Sequence, residues 1–336
     1  MANRGIGRAA TELISPPPRD RLSSQGLPNT AGANMEVEIT DLPELSREQA
    51  ALIDMHSVVN IMNVLLNELE YLQEVLREGE QLQPAMDVVQ QIHLRLLASD
   101  DIGADLGDLL KCQSRVMEVV RAALEAHPDA VDDPDVGDSV SNLQSVFAVL
   151  DTRARELLDR VHAPEKWTDH DIKQLKANFT NVLAAIEKNS KGRYRIVQNI
   201  AEQERQDYMV NFDIEGVDGS IVHMPLVLQD VMRDLIANAR KYTDPGGEIT
   251  AGLVDNGKEI RFVVEDTGRG IPPDEVQQVV KFGKRGSNVD DKATMGGGFG
   301  LTKAYLMTRR FGGRMWIASR PGAGTRITIS IPRAAP

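Results

Sequence analysis

The spacing of the hydrophobic residues changes once along this chain, near residue 205. Before that point, apolar residues recur every three or four positions, which is the period of an amphipathic helix. After about residue 209, short apolar runs alternate with polar residues, most clearly at Ile327, Ile329 and Ile331. We therefore expect an α+β protein of more than one domain, with an all-helical bundle followed by an α/β sandwich.

The strongest helical pattern lies in residues 45–78. Its apolar residues follow the 3-4-3-4-3 spacing of a coiled-coil or bundle seam. This seam, called the 52–69 seam below, consists of Leu52, Met55, Val59, Met62, Leu66 and Leu69. Further helices are predicted at about 84–98, 104–127, 139–162 and 169–205. Because one amphipathic helix cannot bury its own apolar stripe, we expect two copies of the chain to dimerise through this seam.

Three regions follow from these patterns. Residues 1–40 are rich in Pro, Gly, Ser and Asn and are expected to be a disordered tail. Residues 41–205 form the helical dimerisation region, with an additional helical insertion near 84–131. Residues 206–336 form the α/β domain. Its strands are predicted at 210–214, 248–254, 259–265, 314–319 and 325–331, and its helices at about 224–242, 273–281 and 299–311.

Composition excludes several classes of protein. With 38 basic and 50 acidic residues, the chain has a net charge of −12, which disfavours binding to nucleic acid or to an anionic membrane surface. Cys112 is the single cysteine, so an intrachain disulfide and a cysteine-based zinc site are excluded. We find no signal peptide and no apolar run of the roughly 20 residues that span a bilayer, and expect a cytoplasmic protein without membrane insertion.

Four local patterns follow one another in the α/β domain, each with chemistry that suits a nucleotide. Asn238, on a predicted helix, offers an amide oxygen of the kind that Mg²⁺ accepts beside phosphates and water. Asp266, at the end of a strand, could accept a hydrogen bond from an adenine amino group. A glycine run leading into a helix presents amide N–H groups and a positive dipole end to phosphates. The four patterns are Asp234–Thr243, Glu265–Pro272, Phe282–Leu301 and Gly322–Thr325.

Together these patterns closely resemble the N, G1, F and G2 boxes of the sensor histidine kinases of two-component systems. These kinases share an ATPase superfamily with type II topoisomerases, heat-shock chaperones and mismatch-repair ATPases. The resemblance covers about residues 205–333 and implies ATP and Mg²⁺ as cofactors, with Asn238 as the metal ligand and Lys241 assisting catalysis. The other residues that it implies at the nucleotide are Asp234, Tyr242, Asp266, Gly268, Gly270, Lys284, Arg285, Gly296, Gly298, Phe299, Gly300, Leu301 and Thr325.

The family also needs a phosphoacceptor histidine on a bundle helix. His56 lies beside the 52–69 seam, and Asn60 follows it at i+4, as in the family's H-box. Ser57 departs from that pattern, which has an acidic residue after the histidine. His93, within a short apolar helix, is the alternative acceptor.

The resemblance implies a soluble protein-histidine kinase that phosphorylates itself from Mg-ATP. The phosphoryl group would then pass to an aspartate on the receiver domain of a response regulator. Asp234 leaves a second class open, because histidine kinases commonly have Asn there and hydrolytic relatives have Glu, which activates water. The alternatives are therefore an ATP-hydrolysing conformational switch and a scaffold that binds a regulator without using ATP.

Overall fold

The computed structural model describes residues 36–41, 44–76, 81–98, 101–130, 132–163, 165–190, 192–289 and 298–333. The chain divides into two compact units. A helical unit comprises Glu44–Pro164. An α/β unit combines the chain before it with Glu165–Ala293 and Gly298–Pro336. The helical unit is therefore inserted between two parts of the α/β unit. No helix within the described residues is long and apolar enough to cross a membrane.

The helical unit is a four-helix bundle formed by one chain. Helix α1 packs against α2 and α4, and α3 packs against the same two helices, which closes the bundle. Short connections join the helices, as expected for neighbouring elements of a bundle. The helices are α1 (Arg47–Val75), α2 (Gln83–Ala98), α3 (Ile102–Ala126) and α4 (Pro134–His162).

Polar residues mark where the bundle helices begin. Ser46 caps α1, with Gln49 completing a capping box. The side chain of Asp101 accepts from the amide of Ala104 at the start of α3, and Asp133 caps α4 ahead of Pro134. These caps satisfy amides that lack a partner in the first turn of a helix.

The bundle corrects two of the predictions made above. Met55, Met62 and Leu69 of the 52–69 seam are buried, but they pack inside this one chain together with Leu65, while Val59 is only partly buried. The buried seam residues therefore need no second copy to cover them, whereas the other three are only partly buried. The helices near 84–131 are also not an insertion into a smaller bundle, because α2 and α3 are two of its four helices.

The α/β unit contains a seven-stranded mixed sheet and a two-stranded sheet. The order in the large sheet is β1-β8-β9-β7-β6-β4-β3, and β2 pairs with β5. The strands are β1 (Glu36–Glu38), β2 (Trp167–Asp171), β3 (Ile196–Val197), β4 (Tyr208–Glu215), β5 (Ile221–Pro225), β6 (Glu248–Asp255), β7 (Glu259–Asp266), β8 (Arg314–Ser319) and β9 (Thr325–Pro332). The helices are α5 (Ile172–Asn189), α6 (Leu228–Tyr242) and α7 (Gly300–Arg310).

One apolar core holds this unit together. Ile327, Ile329 and Ile331 are buried in it, as the alternation in β9 predicts. The same core receives apolar side chains from α5, α6 and α7. All five strands predicted in this domain are present, and so are the helices that correspond to α6 and α7.

The boundaries of the α/β unit differ from the prediction. Residues 36–38 of the predicted tail form the edge strand β1, which pairs with β8, and Ile39 is buried in the core. Residues 165–205, predicted as part of the helical region, contribute α5, β2 and β3. Residues 273–281 form successive turns instead of a helix, with the amide of Glu275 bonded to the carbonyl of Pro272.

The closed bundle makes a prediction about stability. Leu65 is 0% exposed, so Leu65→Ala should lower the free energy of unfolding by about 3 kcal/mol through lost burial and a residual cavity. Leu94 is 66% exposed, and Leu94→Ala should change it by less than about 0.5 kcal/mol. Urea unfolding followed by circular dichroism measures both. Equal stability of the two variants would contradict the intrachain packing of α1.

Candidate functional site

Four elements of the α/β unit bring the predicted nucleotide residues together. Helix α6 carries Asn238 and Lys241, and α7 begins at Gly300 and packs against α6. Asp266 is the last residue of β7, and Thr325 is the first of β9. The register of these antiparallel strands places the last two residues directly opposite each other.

Backbone amides hold the Asp266 carboxylate in place at the end of β7. Its Oδ1 accepts from the amide of Gly268 at 2.9 Å and from the amide of Thr325 at 3.3 Å. Burial raises the pKa of this carboxyl to about 6, although the two amide bonds act in the opposite direction. The hydroxyl of Thr325 lies 2.9 Å from that of Ser319. The result is a fixed acceptor with its second oxygen available to a ligand.

The turn after β7 approaches other backbone so closely that it requires glycine. A Cβ at Gly268 would lie 2.4 Å from the carbonyl oxygen of Tyr242. Gly270 has a φ of +69°, and a Cβ there would lie 1.9 Å from the carbonyl oxygen of Arg320. This turn therefore joins the end of α6 to the loop before β9.

The start of α7 lies against the side chain of Asn238. A Cβ at Gly300 would lie 2.6 Å from Asn238 Nδ2, so glycine permits this approach. Leu301, the next residue of α7, is partly buried against the core. The amides at the helix start and the Asn238 amide oxygen thus occupy one small region, suited to phosphate oxygens and a hard cation.

A single protein oxygen beside a phosphate-binding helix start fits Mg²⁺, which usually binds through one or two protein ligands and keeps several waters. No group of three or more His, Cys, Asp or Glu that could hold a metal ion occurs in the described part of the chain. Asn238 is therefore suited to a cation that arrives with phosphates.

Basic side chains border this region. Lys241 is partly buried, and that burial, with Arg285 and Arg240 nearby, lowers its pKa to about 8. Its ammonium also lies 5.1 Å from the centre of the Tyr242 ring. Lys284 is exposed. Positive charges that lie close together repel one another, so the binding of an anionic ligand stabilises them.

Two aromatic rings close the base of the segment between β7 and α7. The rings of Phe282 and Phe299 are 4.7 Å apart. Gly298 has a φ of +77°, and a Cβ there would lie 3.0 Å from the carbonyl oxygen of Lys284. Arg285 donates to the carbonyl of Val289 at 2.9 Å. The predicted site residue Gly296 lies outside the described residues.

Asp234 belongs to an ionic cluster that the sequence analysis missed. Lys303 Nζ on α7 lies 2.7 Å from Asp234 Oδ2 and 3.5 Å from Asp230 Oδ2, and Arg233 pairs with Asp230. The lysine side chain is only 2% exposed. Nothing local in the sequence of α7 marks this lysine as buried, since the helix also contains Thr302, Thr308 and two arginines.

In the helical unit, α1 presents His56 and Asn60 together. Asn60 Nδ2 lies 3.2 Å from Nε2 and 3.4 Å from Nδ1 of the His56 ring, which is partly exposed. Ser57 Oγ is buried and has no hydrogen-bond partner, so this hydroxyl does not bond to the imidazole. His93 on α2 is partly buried, and this burial lowers its pKa.

Comparison with known proteins agrees with the geometry of the α/β unit. Residues 224–335 match the family model described as histidine kinase-, DNA gyrase B- and HSP90-like ATPase. The chain is 28% identical over 200 residues to the adaptive-response sensory kinase SasA of Synechococcus elongatus, covering 57% of this chain and 49% of that protein. It is 28% identical over 168 residues to the virulence sensor protein BvgS of Bordetella bronchiseptica, covering 48% of this chain and 14% of that protein.

A third relative, SasA of Crocosphaera subtropica, is 23% identical over 98% of this chain and 81% of its own length. The chain spans about half or less of the first curated relatives that it matches. Residues 224–335 of the α/β unit are therefore similar to the histidine kinase-, DNA gyrase B- and HSP90-like ATPase domains, and the chain that carries them is similar to the sensor histidine kinases.

Proposed function

We propose that this chain is a protein-histidine kinase that phosphorylates itself on His56 from Mg-ATP. The phosphoryl group then passes to an aspartate on the receiver domain of a separate response regulator. The observation that carries the proposal is the imidazole of His56 held by Asn60 on a bundle helix. The same chain holds a kinase-like ATP-binding domain.

In this proposal the nucleotide is held at both ends. The free oxygen of Asp266 accepts from the adenine amino group, with Thr325 beside it and Tyr242 at the neighbouring turn. The turn of Gly268 and Gly270 lets the base approach the backbone. The triphosphate lies at the start of α7, where the amides of residues 298–301 and the cations of residues 241, 284 and 285 face it.

Mg²⁺, when bound, would neutralise part of the phosphate charge, with Asn238 as its protein ligand. Lys241 offers a cationic donor to the same phosphates. Its lowered pKa indicates that the charged form is disfavoured in the free protein, and a bound phosphate would stabilise that form. These residues position the γ-phosphoryl group and stabilise charge, which together supply most of the catalysis in phosphoryl transfer.

His56 is the proposed nucleophile. A ring nitrogen can accept a bond from the amide of Asn60 only while it carries a lone pair, and the neutral ring is also the nucleophilic form. When Asn60 releases that nitrogen, its lone pair would bond to the γ-phosphorus while the bond to the bridging oxygen breaks, ADP leaves, and the other ring nitrogen loses its proton to solvent. Asn60 would orient the ring and, in a separate phosphatase reaction, a water that hydrolyses the phosphorylated regulator.

Met55, Met62 and Leu69 of the 52–69 seam are buried within one chain and cannot contact a second copy. The outer faces of α2 and α4 offer exposed apolar side chains, including Leu94 on the first and Val149 and Val161 on the second. We therefore place the proposed dimer contact on the outside of the bundle.

A nucleotide-driven switch that hydrolyses ATP is the second candidate, and Asp234 is the observation that favours it. The carboxylate would have to activate a water in place of the Glu of hydrolytic relatives. Its Oδ2 already accepts from the Lys303 ammonium at 2.7 Å, which disfavours that role, since this oxygen is no longer open to a water.

A phosphorylation assay tests the acceptor. With γ-labelled ATP and Mg²⁺, the wild-type chain should gain label that is acid-labile and alkali-stable, as expected for phosphohistidine. His56→Gln should reduce this label to background, because glutamine has no nucleophilic ring nitrogen, and His93→Gln is the matched control. Label that persists in His56→Gln and disappears in His93→Gln would identify His93 on α2 as the acceptor. Phosphate release without any labelled protein would support the switch instead.

Asp266 makes a prediction that depends on pH. Because its pKa is raised above the ordinary value for Asp, the folded state loses stability as the pH rises through the interval up to about 6. Asp266→Asn should therefore raise the free energy of unfolding at pH 7.5 by about 2 kcal/mol. At pH 4 the variant and the wild type should differ in free energy of unfolding by less than about 0.5 kcal/mol. The affinity of the variant for ATP at pH 7.5 should fall at least about tenfold.

Both tryptophans, Trp167 and Trp316, lie in the α/β unit, so their fluorescence reports its unfolding in urea. Asp274→Asn, at an exposed carboxylate, is the matched control. Loss of stability in Asp266→Asn at pH 7.5, or undiminished affinity for ATP, would contradict the role given to Asp266.

A further inference from the structure

The buried ionic cluster between α6 and α7 has no role in the function proposed above. Its four side chains carry two positive and two negative charges. Arg233 pairs with Asp230, and Lys303 bridges Asp230 and Asp234. The lysine, Asp230 and Arg233 are 2%, 5% and 7% exposed, whereas Asp234 is 25% exposed. The cluster is therefore neutral and buried, except where it reaches Asp234.

The position of the cluster connects it to the nucleotide site. Asp230, Asp234 and Asn238 are spaced by four residues and lie on one face of α6. On α7, Lys303 follows Gly300 by three residues, which is also one turn. The two helices therefore meet at two successive levels: Asn238 against Gly300, and Asp234 against Lys303.

The two levels differ in the kind of contact. The glycine has no side chain and cannot hold Asn238 in place by itself. A charged hydrogen bond of 2.7 Å has a preferred distance and direction, so it fixes the spacing of the helices one turn away. Breaking it would leave the partly buried Asp234 carboxylate without the lysine and allow the helices to shift.

We propose that Lys303 is a positioning residue of the nucleotide site. Through its ion pair with Asp234 it holds the Asn238 amide oxygen at the start of α7, where the cation and the phosphates meet. Asp234 is then the partner of Lys303 and not the base that activates water for hydrolysis. This inference rests on the proposed nucleotide site but does not depend on His56 as acceptor.

The test measures the affinity of the full chain for ATP with Mg²⁺ and with EDTA. Lys303→Met keeps the length of the side chain and removes its charge. We expect it to weaken binding about tenfold to a hundredfold in Mg²⁺, the usual loss for residues that orient a metal ligand, and less than about threefold in EDTA. Lys258→Met, at an exposed lysine in the turn between β6 and β7, should bind like wild type in both buffers.

The comparison between buffers separates positioning from damage to the fold. A lysine with a purely structural role would lower affinity equally in Mg²⁺ and EDTA, and that result would overturn the proposal, as would unchanged affinity in Mg²⁺. If wild type itself binds no ATP, the proposed function fails. If it binds but only His56 labelling is missing, the kinase assignment fails while the positioning test stands.

A second variant covers the case in which Lys303→Met does not fold. The double variant Asp234→Leu/Lys303→Met leaves Asp230 paired with Arg233 and so leaves no unpaired charge from the cluster. Tryptophan fluorescence verifies its folding. The same Mg²⁺-dependent loss of affinity would support the proposal, because leucine and methionine form no directional hydrogen bond between the two helices. Wild-type affinity in Mg²⁺ would overturn it.

Asp234→Asn tests the catalytic alternative. The amide oxygen can still accept from Lys303, so phosphate release should fall by less than about tenfold. A general base contributes about a hundredfold or more to a reaction. A loss of phosphate release of that size, with unchanged Mg-ATP affinity, would make Asp234 the base and overturn its assignment as a positioning residue.

Discussion

The approach of Asn238 to the first residue of α7 is the contact on which the proposed nucleotide site depends. It requires Gly300, because a Cβ there would lie 2.6 Å from the Asn238 amide nitrogen. The rest of the site is arranged around this contact. Strand pairing places Asp266 opposite Thr325, glycines close the turn after β7, and Lys303 secures the two helices one turn away.

The sequence was most informative where the chemistry of a single residue type suits a nucleotide. Asn238, Asp266 and Gly300 were predicted as site residues because their chemistry suits a nucleotide and they stand in four ordered patterns that resemble the boxes of the histidine kinases. Helix and strand periods also located α6, α7 and the five strands around them. Lys303 was missed because its role comes from a contact 69 residues away, with Asp234, and a single lysine in a helix gives no local sign of burial.

The helical region shows a different limit. An apolar stripe on α1 reveals that something covers it, but not whether the cover belongs to the same chain. The prediction chose a second copy, whereas α2 and α4 supply the cover. The edge strand β1 was missed for a related reason. Three residues carry too little periodicity to indicate a strand, and their position is set by pairing with β8, nearly 280 residues later.

The most direct test of the central contact is Gly300→Ala, with Gly107→Ala as the control. Gly107 lies in helix α3, and a Cβ there would meet no atom within 4 Å. Calorimetric titration of the full chain with Mg-ATP should show binding by wild type and by Gly107→Ala. It should show at least about a tenfold loss for Gly300→Ala, while tryptophan fluorescence indicates a folded α/β unit. Wild-type affinity in a folded Gly300→Ala variant would contradict the account of the site.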